Sequence, residues 1–279
     1  MGGATSRSVR VGLAQFSPGL NKLGNVERVR RLVRSVEADL VVLPEYSMFV
    51  PDGLSPEEVY ALSEGLDGPF LQELSRFAEE FSTYVLAPIL ERSEKPPKVY
   101  NTSVLLSPSG AVVATYRKLH LMDALGVRES TYVVPGDRPS PVVEVAGARV
   151  AIAVCFDLRF PELFRLYALA GAELVAVPAA WYRGPLKEEV LHALARARAI
   201  ENTVYVAVAN QYSDRFTGRS AAVDPLGVVA VDLGIGERYA EVSLDLNYLE
   251  EVRRQLPLLS LRREDVYELK PLKPPATQP

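Results

Sequence analysis

The chain has 279 residues, 48% of them hydrophobic and 24% charged, the balance of a folded protein with a substantial core. Its net charge of −4 argues against nucleic acid or another polyanion as partner. One cysteine and two histidines exclude an intrachain disulfide, a cysteine-based metal cluster and a histidine-rich metal site.

The opening MGGATS lacks the apolar core of a signal peptide, so the cytoplasm is the expected location. Its fit to a myristoylation pattern through Gly2 and Ser6 is short enough to arise by chance. No apolar run is long enough to span a bilayer, and no membrane partner is expected. VRVGLAQF at 9–16 is the first strand pattern. A helical pattern over 23–37 follows, and RVRRLVR at 28–34 reads as its solvated face. ADLVVLPE at 38–45 is the second strand run, and a helical pattern covers 68–82. Strand runs then fall at 83–90, 100–107 and 111–118, with a hairpin turn at PSG between the last two.

VVEVAGARVAIAV reads as a second hairpin turning at AGA, and its second arm leads the strand run 148–156. Helical patterns at 160–171, 186–202 and 247–255 alternate with strand runs at 172–180, 203–211, 219–232 and 238–246. Many of these runs are apolar at every position, as in strands buried on both faces. The alternation predicts an α/β fold, and the hairpins make the sheet mixed. Without a linker or composition break, residues 1–268 are expected to form one domain and 269–279 a Pro-rich extended tail. A weak internal symmetry pairs VRVGLAQF, a helix and ADLVVLPEY with ARVAIAVCF, a helix and AELVAVPAAW. Each half is a strand–helix–strand unit, so Glu45, Cys155 and Trp181 fall at strand carboxyl ends, where open α/β sheets bind ligands.

The chemistry turns on Cys155. By residue type it is a buried small hydrophobe. By position, between a strand end and a helix start, it is a nucleophile whose thiol pKa the helix dipole would lower. A nucleophilic thiol needs a base, and the candidates are His120, His192 and Glu45. Glu45 follows the apolar DLVVLP and would be raised toward neutrality if desolvated; the alternative is a solvated loop carboxylate. Lys118, at the end of AVVATYRK, is either an exposed strand-end lysine or a fixed ammonium for the thiolate and the oxyanion. The Phe156 backbone N–H is the natural second oxyanion donor.

Together, LPEY with Glu45, YRKLHL with Lys118 and CFDLRFPELFR with Cys155 resemble the nitrilase superfamily of carbon–nitrogen hydrolases. GVRESTYVVPGD, RARAIENTVYVAVAN, GRSAAVDPLG and VRRQLPLLSLRREDVY extend the likeness from about residue 9 to 268. The resemblance implies a four-layer α/β/β/α sandwich with two mixed sheets, a homodimer or higher homo-oligomer, and neither metal nor organic cofactor. It implies Glu45 as general base, Lys118 as oxyanion donor, Cys155 as nucleophile, and Glu129 as the group that positions Lys118 and the substrate amide. The reaction it implies is hydrolysis of a small non-peptide amide through a Cys155 thioester. The motifs look closest to the amidases acting on ω-amides of dicarboxylic acids or on deaminated glutathione. N-carbamoyl amide hydrolysis, nitrile hydrolysis and acyl transfer use the same residues, and a non-catalytic dimeric binding protein is the reading from another class. Tyr46, Phe49, Trp181 and Tyr182 are the expected pocket residues. Arg183 is a candidate for a substrate carboxylate, and Arg159 for a structural tie between the post-cysteine turn and a carboxylate. Val190 and Leu191 stand where amidases of this group often carry a His-Trp pair, with His192 one step off.

Overall fold

Strand runs that are apolar at every position need a packing partner on both faces, and the chain supplies two different ones. The computed structural model describes residues 7–267, so Gly2, Ser6 and the tail 269–279 lie outside the described residues. In chain order the first half contains β1 (Ser8–Gln15), α1 (Lys22–Leu32), β2 (Leu40–Val42), α2 (Pro56–Leu62), α3 (Pro69–Phe81), β3 (Tyr84–Arg92), β4 (Val99–Leu106) and β5 (Val112–Arg117). The second half contains β6 (Val143–Val145), β7 (Ala148–Ile152), α4 (Pro161–Leu169), β8 (Leu174–Ala179), α5 (Lys187–Asn202), β9 (Tyr205–Asn210), β10 (Ala221–Val223), β11 (Val229–Asp232), β12 (Arg238–Asp245) and α6 (Leu246–Gln255).

One six-stranded sheet has the order β12-β1-β2-β3-β4-β5, and the other β11-β10-β9-β8-β7-β6. Each has three parallel strands at its centre, β1-β2-β3 and β7-β8-β9, flanked by antiparallel strands. The repeated strand–helix–strand units of the sequence are thus the parallel crossovers of two related sheets. The sheets pack face to face, and the sandwich is four-layered. Val9, Val11, Leu13, Leu40, Val42 and Leu86 share a core with the second sheet, α4 and α5. Their neighbours Val41, Leu43, Val85 and Ala87 face a second core with residues of α1 and α3. The period-2 alternation of a strand therefore divides its side chains between two apolar layers, and no polar face is left to break the run. Among the described residues no helix is long and apolar enough to cross a membrane.

Three local departures from the sequence reading have simple causes. Helix α2 went unread: its Ser55–Glu58 capping box is visible in the sequence, but its seven residues bury only Val59, so no apolar stripe announces it. The run 219–232 is two antiparallel strands, because Asp224 Oδ1 accepts the Leu226 and Val228 N–H groups, each at 2.9 Å, and Gly227 takes a positive φ of 82°. The run 148–156 pairs only to Ile152; its last residues leave the sheet to form the site described below.

The loop after β5 returns across the backbone of that strand's end. Gly136 N–H donates to Lys118 O at 2.8 Å, and a Cβ at Gly136 would meet Arg117 O at 2.2 Å. Gly136→Ala must push this loop off the strand end that carries Lys118. It is expected to cost about 1–3 kcal/mol of stability in urea unfolding, the scale of an overpacked site. An unfolding midpoint equal to that of the parent chain would contradict the close approach.

Candidate active site

Cys155 does not sit at the α-helix start that its sequence position suggests. After Ile152 the chain stays extended, Cys155 turns into the left-handed region at φ 43°, and a 3-10 turn, Cys155–Arg159, precedes α4. The turn is held from within. Asp157, fully buried, accepts the Val154 N–H at 2.8 Å, the Tyr116 hydroxyl at 2.7 Å and the His120 backbone N–H at 3.2 Å. His120 Nδ1 also lies 2.7 Å from Asp157 Oδ1, and its ring stacks on Phe160 at 3.6 Å. Tyr116 and His120 flank Lys118, so one carboxylate sets the cysteine turn in register with the end of β5.

Lys118 lies at that end, its N–H donating to Asn101 O at 2.9 Å. Its ammonium is buried between two carboxylates. Nζ is 2.9 Å from Glu45 Oε1, and 2.8 and 3.0 Å from Glu129 Oε2 and Oε1. Glu45 comes from the loop after β2; its second oxygen accepts the Ala180 N–H beyond β8 at 3.0 Å, and Gln211 Nε2 donates to its main-chain carbonyl at 2.7 Å. Glu129 opens a single 3-10 turn and accepts from Met122 N–H at 2.7 Å and from Tyr46 OH at 2.9 Å. Asn101, in β4, bridges the carboxylates with Nδ2 at 2.8 Å from Glu45 and 3.1 Å from Glu129.

These contacts push the two carboxylates in opposite directions. Burial raises Glu45, and the Glu129 charge adds to that, so its one contact to Lys118 does not bring it back to the ordinary range. Burial works on Glu129 as well, but Lys118, the Met122 N–H and Asn101 outweigh it and hold Glu129 below the usual value. Burial opposes the charge of Lys118, yet the two carboxylates prevail and keep it an ammonium far above the ordinary range. Burial pushes the Cys155 thiol well up, the Glu45 charge pushes it further, and Lys118 only partly compensates. The lowered thiol pKa expected from a helix dipole is therefore not found: burial and the neighbouring Glu45 charge raise it instead.

These groups line one cavity. Of the residues expected there, Glu45, Lys118, Glu129, Cys155, Phe156, Tyr46, Trp181 and Tyr182 line it. Phe49 does not: it is completely buried in the core beneath α1 and α3. Its place three residues after Tyr46 carries it inward, because Tyr46 takes a positive φ of 60° and the loop reverses there. Arg183 also stays outside, its Nε bonded to Phe216 O. Arg159 has no carboxylate partner among the described residues; its guanidinium lies over Trp181 at 4.9 Å instead. His192 is bonded to Arg219 O at 3.1 Å, away from the cavity, and His120 is taken up by Asp157. The sequence reading missed Asn101, Tyr132 and Lys187. Asn101 leaves a legible trace, a lone amide opening the buried strand run NTSVLL.

The carbon–nitrogen hydrolase family pattern matches residues 10–254. The deaminated glutathione amidase of Rattus norvegicus is 38% identical over 276 residues, covering 92% of this chain and 83% of the relative. The omega-amidase of Xenopus tropicalis is 34% identical over 275 residues, covering 93% and 97%. Among solved structures, an amidase from Nesterenkonia superposes with a TM-score of 0.79 at 27% identity, covering 94% of this chain and 97% of that one. It is a glutamate-to-glutamine variant showing covalent addition of the acetamide moiety of fluoroacetamide at the active-site cysteine.

The Asp157 clamp presents three donors to one carboxylate, and an amide offers a single acceptor oxygen. Asp157→Asn is expected to lower stability by about 1–3 kcal/mol, the cost of buried donors left unpaired. It should also change the rate at which Cys155 is alkylated. Thermal unfolding and timed thiol labelling read both, and a variant identical to the parent in both would show that the clamp is dispensable.

Proposed function

The chain belongs to the carbon–nitrogen hydrolase family, hydrolases of carbon–nitrogen bonds other than peptide bonds, and we propose that it is a thiol-dependent amidase that converts a small carboxylic amide to the acid and ammonia through a Cys155 thioester. The observation that carries this reading is the buried Glu45–Lys118–Glu129 cluster opening on the same cavity as the thiol. The covalent cysteine adduct of the Nesterenkonia amidase supports the same step here.

In this reading Glu45 is the general base. Its raised pKa brings it nearer to the thiol it must deprotonate than an ordinary carboxylate would be. As Glu45 takes the proton, the Cys155 sulfur bonds to the amide carbonyl carbon, and the carbonyl oxygen gains the negative charge. The Lys118 ammonium and the Phe156 backbone N–H receive that oxyanion. Lys118 suits the task because it stays charged and has no freedom to swing away from its two carboxylates. The C–N bond then breaks, and the proton held on Glu45 passes to the departing nitrogen, giving ammonia and the thioester. A water deprotonated by Glu45 attacks the thioester; the sulfur leaves as thiolate and takes the proton back as the acid departs. Glu129 keeps Lys118 in place and, through Tyr46, holds the wall beside Glu45. The tightly buried free thiol suits a reducing compartment, which fits a cytoplasmic enzyme. The exposed Ile200, Leu226 and Val228 on the helix side of the second sheet supply apolar surface for a homodimer contact.

Cys155→Ala is expected to reduce ammonia release from small primary amides by more than about a thousandfold with the unfolding transition unchanged. Parental turnover by this variant would reject the thioester route. The base must be ionised to act, so kcat/KM should fall as pH drops through the raised Glu45 pKa. Glu129→Gln removes an anion that raises Glu45, so this acid limb should move to lower pH even as kcat falls. A pH–rate profile whose limb stays in place or moves upward would contradict the assignment of Glu45 as base.

A further inference from the structure

The two carboxylates that share Lys118 are bridged a second time. Glu45 Oε1 and Glu129 Oε1 lie 2.9 and 3.0 Å from Lys118 Nζ, and 2.8 and 3.1 Å from Asn101 Nδ2. Asn101 is buried in β4, and its main-chain carbonyl accepts the Lys118 N–H at 2.9 Å, so the two donors are held in fixed register. An amide nitrogen has two hydrogens, one for each carboxylate. The other end of the amide is left unmatched: Asn101 Oδ1 is buried with no hydrogen-bond partner among the described residues. Turning the amide over would set that oxygen against both carboxylates, so charge fixes the donor-first orientation. A buried polar atom left unpaired calls for a reason beyond packing. Asn101 stands behind the cavity lining, so it acts through the carboxylates and not on a substrate. Two carboxylates this close with no donor between them hold one proton in common, and the pair then titrates as a unit. Such a pair is a poor base for a single thiol.

We infer that Asn101 is a positioning residue of the active site: its amide, set donor-first between Glu45 and Glu129, keeps the two carboxylates from sharing a proton and leaves Glu45 alone to exchange one with Cys155. The inference rests on the amidase reading and deepens it. The groups facing Glu45 are Lys118 from the end of β5, Glu129 from its 3-10 turn, the Cys155 thiol from the turn after β7, and the hydroxyls of Tyr46, Tyr132 and Tyr182, which burial keeps neutral. Glu129 is the other anion in this set, and Asn101 is the neutral donor that it shares with Glu45. The amide bonds to the ionised form of Glu45, so its loss favours the protonated form. The acid limb must then move upward in pH, opposite to the shift expected for Glu129→Gln. A role in packing alone carries no such sign.

The test follows Cys155, the only thiol of the chain, by its rate of alkylation with iodoacetamide across pH, alongside ammonia release from butyramide. In the parent chain both rates fall as pH drops through the ionisation of Glu45. Asn101→Ala is expected to move that limb upward by about one pH unit, the scale of one hydrogen bond to a charged group, and to lower the high-pH plateau by less than about tenfold. Asn101→Ser keeps one hydroxyl donor and should move the limb less; it decides the matter if the alanine variant does not fold. A limb that stays in place or moves downward in the folded variants would overturn the role and leave the amidase reading standing. Loss of the fold in both variants would overturn it too, making Asn101 a structural residue. No ammonia from butyramide or any other small primary amide would instead overturn the amidase reading, while the alkylation limb still decides for or against Asn101.

Discussion

One ammonium held between two carboxylates organises this molecule. Lys118 Nζ is almost wholly buried, as are Glu45 and Glu129, and none of the three would be tolerated there alone. Each comes from a different place: the loop after β2, the end of β5, and the returning segment that carries Glu129. Their attraction ties the rim of the first sheet together. The Ala180 N–H and the Gln211 amide, at the ends of β8 and β9, then tie Glu45 to the second sheet. The site is therefore a joint between the two layers as much as a cavity beside them. Removing one partner would leave an uncompensated charge in that joint.

The same arrangement sorts the protons. Glu45 and Glu129 share a lysine and an asparagine, yet they depart from the ordinary carboxylate range in opposite directions. The difference lies in what else each accepts. Glu129 takes both of its oxygens to Lys118 and adds the Met122 N–H and the Tyr46 hydroxyl. Glu45 has one contact to the ammonium and stands nearest the thiol, whose pKa its own charge raises. Two titratable groups driven apart by their surroundings can divide holding and transferring a proton between them.

Backbone strain accompanies this division. Tyr46 and Cys155 are both non-glycine residues with positive φ, 60° and 43°, a conformation that costs of order 1–3 kcal/mol and persists only where the surroundings enforce it. At Tyr46 the enforcement comes from the hydroxyl bond to Glu129 and the Gln211 grip on the Glu45 carbonyl. At Cys155 it comes from Asp157, which binds the turn to both flanks of Lys118. Beyond these strained turns Glu45 and the Cys155 thiol line one cavity. They sit beyond the carboxyl ends of central parallel strands of both sheets, the usual place for a ligand in open α/β folds.

Much of the fold was legible in the chain because its signals are local. Apolar runs such as VVATY and VAIAV mark strands, the turns at PSG and AGA mark hairpins, and the repeated strand–helix–strand pattern marks the two parallel centres. The strand ends made Glu45, Lys118 and Cys155 candidates by position, and the motifs LPEY, YRKLHL and CFDLRFPELFR in their order singled them out. Helix α2 escaped because it has almost no buried face, and Phe49 was misplaced because nothing in the letters YSMF tells that the backbone turns left-handed at Tyr46. The sequence by itself determined the α/β class, the motifs of the family and the candidate reactive groups, since periodicity and residue type are properties of short segments. The tertiary structure alone decided that Asn101 bridges two carboxylates, that the thiol is raised rather than lowered, and that Arg159 and Lys187 meet at one cavity. Those outcomes depend on desolvation and on charges brought together from segments far apart in the chain, and neither has a value until the two sheets close.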